Sequence, residues 1–149
     1  FVGGQPVATS GHGALLTQLN QALGAFWTAL GEIGAQDDVT TFTMSDFGRT
    51  LSGNGNGSDH AWGGNQLVLG GRVDGNKVFG RYPQLRIDAN DNVAQDWSFS
   101  RGQYIPTTAV DQLAATLSRW LGVADDAVLD GIFPNLPNFA TRDLGFMLP

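Results

Sequence analysis

The chain has 149 residues, of which 42% are apolar and 15% charged, as expected for one globular domain or a large part of one. Its 14 acidic residues outnumber its 8 basic ones, the formal net charge is −6, and the arginines are scattered. This balance argues against a nucleic acid partner, because phosphate neutralisation requires clustered Lys and Arg. The absence of cysteine excludes disulfides and thiolate metal sites. No apolar run approaches the roughly 20 residues of a transmembrane segment.

The first predicted element is an amphipathic helix from His12 to Ile33, in which apolar residues recur every three or four positions. Gly34 is its expected end. The segment Val39–Met44 follows, and its β-branched and aromatic residues predict the strongest strand of the chain. A helix, a turn and a strand form half of an α/β unit, so the polar residues after this strand are expected at a ligand-binding sheet edge.

Residues 67–104 are rich in short β-prone runs broken by glycine. The sequence DGN between Val73 and Val78 predicts a hairpin. One more short strand is expected within residues 94–106. The segment therefore predicts a β-rich, loop-rich middle.

A second amphipathic helix is predicted with Thr108 and Asp111 as a capping box and Gly122 as its end. Its apolar positions predict the buried face Val110, Leu113, Ala114, Leu117, Trp120 and Leu121. A turn and a proline-containing tail follow, and the tail is expected to pack along a surface.

Two helices and one strong strand do not complete a parallel sheet, which needs several strands buried on both faces. Either the middle supplies more strands or another polypeptide completes the sheet, and we expect the second. The chain opens FVGGQPV, without Met or a signal peptide. We therefore interpret residues 1–149 as a single, partial domain.

The candidate site lies in SDFGRTLSGNGNGSDHAWGG, which begins at Ser45. Asp46 follows the predicted strand, and Asp59 and His60 come after a glycine-rich stretch. Carboxylate and imidazole groups bind Zn²⁺ or Mn²⁺, and the glycines would let these side chains converge. Arg49 is suited to bidentate binding of phosphate or sulfate. The simpler interpretation is that Asp46 forms a turn or pairs with Arg49, and that His60 is solvated.

Several phrases, taken in order, resemble one large bacterial family. HGALLTQLNQALGAFWTAL, VTTFTMSDFGRT, GSDHAWGGNQLVLGG and IPTTAVDQLAATLSRWLG are similar to the carboxyl-terminal part of domain of unknown function 1501, within the alkaline phosphatase and sulfatase superfamily. The resemblance covers nearly the whole chain. It implies an α/β fold, the C-terminal half of an alkaline-phosphatase-like three-layer α/β/α domain. It also implies export to the periplasm or cell exterior.

The resemblance implies a metal-dependent hydrolase of phosphate or sulfate esters, to which this chain contributes the metal-binding portion. Asp46 and His60 would hold a divalent metal (zinc, manganese or calcium), with Asp59 beside them, and Arg49 would bind the substrate anion. Phe47 stands where better-known phosphatases have a second His ligand. The nucleophile would lie outside this chain.

The alternative is a non-catalytic, degenerate member of the superfamily that acts as a structural or binding subunit in an assembly. It is motivated by the absence of the family's Asp-x-His segment before the first helix, where only His12 occurs. The expected partner is the missing N-terminal part or another chain that completes the sheet, and a homo-oligomer is the further arrangement considered. A third interpretation, a carbohydrate-binding module, would use Trp62 and Trp97.

Overall fold

A computed structural model describes residues 11–85 and 98–149. The helices are α1 (Gly11–Glu32), α2 (Val110–Trp120) and α3 (Asp126–Ile132). The strands are β1 (Thr40–Phe42), β2 (Gly48–Gly53), β3 (Ser58–Ala61), β4 (Val68–Gly70), β5 (Ser98–Phe99) and β6 (Gln103–Tyr104). Helices and small antiparallel sheets together confirm the general α/β class. Within the described ranges, no helix has both the length and the apolar character of a membrane span.

The strands form three two-stranded antiparallel sheets in the described part of the chain, namely β1 with β4, β2 with β3, and β5 with β6. β1 lies at the centre of the predicted Val39–Met44 strand, and Thr40 is opposite Gly70. The chain between β1 and β4 folds back on itself as the β2–β3 hairpin, so β4 returns antiparallel to β1. The parallel pairing suggested by the helix–turn–strand pattern is therefore not present at β1 in the described residues.

Helix α1 agrees with the predicted bounds and ends as expected. Gly34 has a φ of +69°, and the Ala35 N–H donates to Leu30 O at 2.9 Å. Only Gly13 and Leu30 are buried along the helix, whereas Leu15 remains 53% exposed. The apolar face of this amphipathic helix is thus left largely uncovered by the described residues.

A small core lies where α2, α3 and a 3₁₀ turn at Leu136–Asn138 meet. Its fully buried members are Ala115, Leu129 and Leu136. The partly buried residues packed against them are Val123 and Phe133. Only a turn was expected where α3 forms. Asp125 starts this helix by accepting a hydrogen bond from the Ala127 N–H at 2.8 Å.

The start of α2 differs from the predicted capping box. Ala109 is the N-cap residue, and its N–H donates to Gln112 Oε1 at 2.9 Å. Gln112 therefore takes the position assigned to Asp111, and Thr108 precedes the cap. The predicted end is confirmed, because Gly122 follows the helix with a φ of +102°.

The buried face of α2 is more polar than predicted. Val110 and Leu121 are exposed, whereas Gln112 and Thr116 are buried. Gln112 Nε2 donates to Thr141 O at 2.6 Å, and Thr116 Oγ1 accepts from the Leu144 N–H at 2.9 Å. These bonds to the C-terminal tail satisfy polar groups that would otherwise be costly to bury.

The predicted hairpin between Val73 and Val78 is wrong. Val73 instead forms an antiparallel bridge with Met147, and the Asp74 N–H donates to Phe146 O at 2.8 Å. The tail thus takes the place of the expected second strand. The tail does more than pack along a surface as predicted, because it forms the 3₁₀ turn at Leu136–Asn138 and buries Leu136 in the core. The short strand expected within residues 94–106 is present as the β5–β6 pair, while Trp97 lies outside the described residues.

Candidate functional site

Within the stretch that begins at Ser45, β2 and β3 form an antiparallel hairpin. Gly48 pairs with Ala61 and Arg49 with His60, and the register shifts toward the tip. Residues 54–57 close the hairpin with glycines in conformations that side chains disfavour, including Gly55 at a φ of +93°. The candidate residues are therefore held on two strands, where successive side chains point to opposite faces.

One face of this hairpin is buried, and its close backbone packing requires a glycine at position 48. Gly48, Thr50 and Ala61 are all buried. An added Cβ on Gly48 would lie only 1.8 Å from Gly63 O, and the Gly63 N–H donates to Tyr104 O at 2.8 Å. The β2–β3 hairpin, the Gly63 segment and β6 are thus stacked by close backbone contacts.

The opposite face carries His60 and Arg49. The His60 imidazole stacks on the Phe47 ring, with centroids 3.8 Å apart and planes inclined by 16°. The Arg49 Cζ lies 4.8 Å from the centroid of the same ring, within the range of a cation–π contact. Arg49 Nη1 also donates to Ser58 O at 2.9 Å. Phe47 therefore joins the two predicted residues into one cluster.

Asp46 lies in an exposed bend directly before this cluster. Ser45 Oγ donates to Phe47 O at 2.9 Å and closes the bend around it. Because Phe47 contacts His60, the bend that carries Asp46 lies at the same end of the hairpin as His60. Both side chains are exposed.

Asp59 is engaged on another side of β3. Its carboxylate accepts a hydrogen bond from Asn54 Nδ2 at 2.6 Å and forms an ion pair with Arg101. The Asn54 hydrogen bond, and after it the positive charge of Arg101, lower the pKa of Asp59. Adjacent strand residues face opposite ways, yet His60 is near enough to contribute to the lowered pKa of Asp59.

Arg101 is the residue at this site that the sequence interpretation missed. It lies in a 3₁₀ turn between β5 and β6 and has a φ of +64°, an uncommon conformation for a residue with a side chain. Arg101 Nη2 donates to Gly53 O at 3.1 Å, so the residue links this turn to the hairpin. No local pattern indicates this, because Asp59 is 42 positions away.

The described residues do not by themselves assemble a set of metal ligands. Within residues 11–85 and 98–149, no three His, Asp or Glu side chains form a group of metal ligands. Asp46 and His60 have the donor chemistry that Zn²⁺ and Mn²⁺ accept, but a catalytic zinc site uses more protein ligands than these two. Further donors would have to come from outside the described residues.

One comparison with known proteins bears on the chain. A family model described as "Protein of unknown function (DUF1501)" matches residues 8–133, a range that includes the whole hairpin. No curated protein and no solved structure matches the sequence.

Proposed function

We propose a function from the premise that the chain belongs to the DUF1501 family, whose model covers residues 8–133. In this proposal it is the C-terminal, metal-binding portion of a metal-dependent hydrolase of phosphate or sulfate esters. The whole protein would have the three-layer fold of the alkaline phosphatase and sulfatase superfamily and would be exported. The order of the SDFGRT and SDHAWGG phrases supports the superfamily assignment.

The observation that carries the proposal is the stacking of Phe47 on His60 at 3.8 Å. This contact holds the residue that follows Asp46 against the imidazole. Asp46 and His60 would be two ligands of a divalent metal, and Arg49 would bind the anionic oxygens of the ester. The nucleophile and the remaining ligands would lie outside the described residues.

The metal site is tested by calorimetric titration of the purified chain with Zn²⁺, Mn²⁺ and Ca²⁺. We expect Asp46→Asn and His60→Gln each to weaken binding by about tenfold or more, since even residues that support ligands contribute factors of this order. The control is His12→Gln, because His12 is the other of the 2 histidines and lies in α1. Absence of metal binding by the wild type, or equal losses in all three variants, would contradict the proposal.

A second candidate is a non-catalytic, degenerate superfamily member that acts as a structural or binding subunit. The ion pair between Asp59 and Arg101 favours it, because it occupies a carboxylate that was expected beside the metal. In this role the hairpin would be a rigid part of a larger assembly. The metal titration separates the two candidates.

Both candidates include a partner that covers apolar surface. On α1, Leu15 and Phe26 are 53% and 44% exposed, and on β1 Phe42 is 41% exposed. The β1–β4 pair has only two strands among the described residues, and an isolated pair of this kind is marginally stable. We propose that strands from a preceding part of the protein, or from another chain, complete this sheet.

Without that partner, the purified chain is expected to associate with itself through the same apolar surface. Size-exclusion chromatography with light scattering should give a mass above 15.8 kDa. Leu15→Asp should reduce the mass, whereas Gln21→Asp, an exposed polar position on the same helix, should not. A monodisperse wild-type chain of 15.8 kDa would refute the need for a partner.

A further inference from the structure

The tip of the β2–β3 hairpin contains two Asn-Gly pairs, Asn54-Gly55 and Asn56-Gly57. In such a pair, the main-chain nitrogen of the glycine is placed to attack the side-chain carbonyl carbon of the asparagine before it. Glycine has no Cβ that would hinder this approach. Both asparagines are exposed to water. The tip therefore offers two sites for the deamidation of asparagine.

Deamidation of an Asn-Gly pair takes two steps and needs only water. In the first step, the glycine nitrogen forms a bond to the asparagine Cγ, and the bond from Cγ to Nδ2 breaks. The leaving nitrogen takes the proton of the glycine N–H and departs as ammonia, which leaves a five-membered succinimide. In the second step, water adds to one of the two ring carbonyl carbons, and its bond to the ring nitrogen breaks. The products are aspartate and isoaspartate.

The side-chain amide of Asn54 is held at both ends. Its Nδ2 donates to Asp59 Oδ1 at 2.6 Å, and its Oδ1 accepts from the Asn56 N–H at 3.0 Å. The same Asp59 carboxylate pairs with Arg101, so the first bond is made to a charged group that is itself fixed. Because ring closure expels Nδ2, Asn54 must give up this bond before it reacts.

Asn56 has the same following residue without these restraints. Within residues 11–85 and 98–149, its side-chain amide makes no hydrogen bond, and the attacking Gly57 N–H donates to no acceptor. We propose that Asn56 is a deamidation site and that the bond to Asp59 protects Asn54. The fold thus directs the modification to one of two pairs that are chemically alike. This proposal is independent of the proposed hydrolase and of the metal site.

The modification would change the tip in two ways. Isoaspartate at position 56 would add one methylene group to the main chain inside the turn that the Asn54 N–H closes on Gly57 O at 2.9 Å. Either product would also add a negative charge to a chain of net charge −6. The modified protein should therefore separate from the original as a more acidic species on anion exchange.

The test incubates the full chain in mildly alkaline buffer and follows each asparagine by peptide mapping with electron-transfer fragmentation. This method assigns the conversion to one residue and distinguishes isoaspartate from aspartate. We expect Asn56 to convert about tenfold faster than Asn54, the factor expected for one hydrogen bond to a charged group. In urea the two should react at similar rates. Asn65 and Asn76, both exposed but not followed by glycine, are the slow controls.

Three variants separate the bond that protects Asn54 from the rest of the hairpin. Asn56→Gln should abolish the fast conversion, because glutamine would have to close a less favourable six-membered ring. Asp59→Ala removes the acceptor of the Asn54 amide and should bring Asn54 close to the rate of Asn56. Arg101→Gln breaks the ion pair from its other side and keeps the bond from Asn54 to Asp59, so Asn54 should stay slow. Circular dichroism checks that each variant is folded.

Equal rates at Asn54 and Asn56 in the folded wild type would overturn the proposal, as would fast conversion that persists in Asn56→Gln. An acceleration of Asn54 in Arg101→Gln as large as that in Asp59→Ala would also contradict it, because the hydrogen bond would not be the source of protection. The comparison of folded and urea-unfolded wild type depends on no variant. A preference for Asn56 that persists in urea would show that the fold does not select the site.

Discussion

Replacing Gly48 with alanine is expected to lower the free energy of unfolding by about 3–5 kcal/mol, among the larger effects of a single substitution. The added Cβ would lie 1.8 Å from Gly63 O, which is a backbone atom and cannot rotate away. Relief of the clash requires β2 to separate from the Gly63 segment, which also endangers the Gly63 N–H bond to Tyr104 O. Urea denaturation followed by circular dichroism measures the loss.

Gly24→Ala is the matched control for this substitution. An added Cβ on Gly24 meets nothing within 4 Å, and the residue lies in the interior of α1. Alanine should therefore stabilise the protein by about 0.5–1 kcal/mol, because it has the higher helix propensity. A loss of stability in Gly48→Ala together with a gain in Gly24→Ala would establish the close backbone contact at Gly48. If the urea midpoint of Gly48→Ala equals that of the wild type, the hairpin does not pack against the Gly63 segment as described.

Leu129→Ala is expected to destabilise the protein by about 2–5 kcal/mol. Leu129 is 0% exposed and lies in the core with Ala115 and Leu136. Alanine leaves a cavity among fully buried side chains, and the surrounding structure relaxes only partly around such a cavity. The same urea denaturation measures the change, and thermal melting should show a lower midpoint.

Val128→Ala provides the comparison within the same helix. Val128 precedes the core residue but is 49% exposed, so its truncation should cost less than about 1 kcal/mol. Equal losses for the two variants would mean that α3 is not anchored through Leu129. The difference between them tests the position of the core and not merely the presence of a helix.

The candidate site has two parts, one around Phe47 and one around Asp59, and their side chains make different contacts. Phe47, Arg49 and His60 form a cluster, and Asp46 is exposed directly before it. Asp59, in contrast, is held by Asn54 and Arg101. Gly48 is the buried residue between Phe47 and Arg49. Under the proposed function, its substitution should therefore weaken metal binding together with stability.

Much of the local structure was predictable from spacing and residue type. The apolar period identified α1, Gly34 and Gly122 marked helix ends, and β-branched residues marked the β1 strand. The composition of the Ser45–Gly64 stretch indicated which polar groups are available there. It did not indicate which of them share a face, since that depends on a strand register that a glycine-rich sequence specifies weakly.

The sequence alone thus determined where the chain can form helices, where it turns, and which residue types are available for binding. Tertiary structure decided how these parts meet. Arg101 reaches Asp59 from 42 positions away, and Met147 takes the partner position beside Val73 that a local hairpin would have filled. Helix periodicity and turn preference act over a few residues. Strand partners, ion pairs and burial depend on distant segments that compete for the same surface, so only the folded chain selects among them.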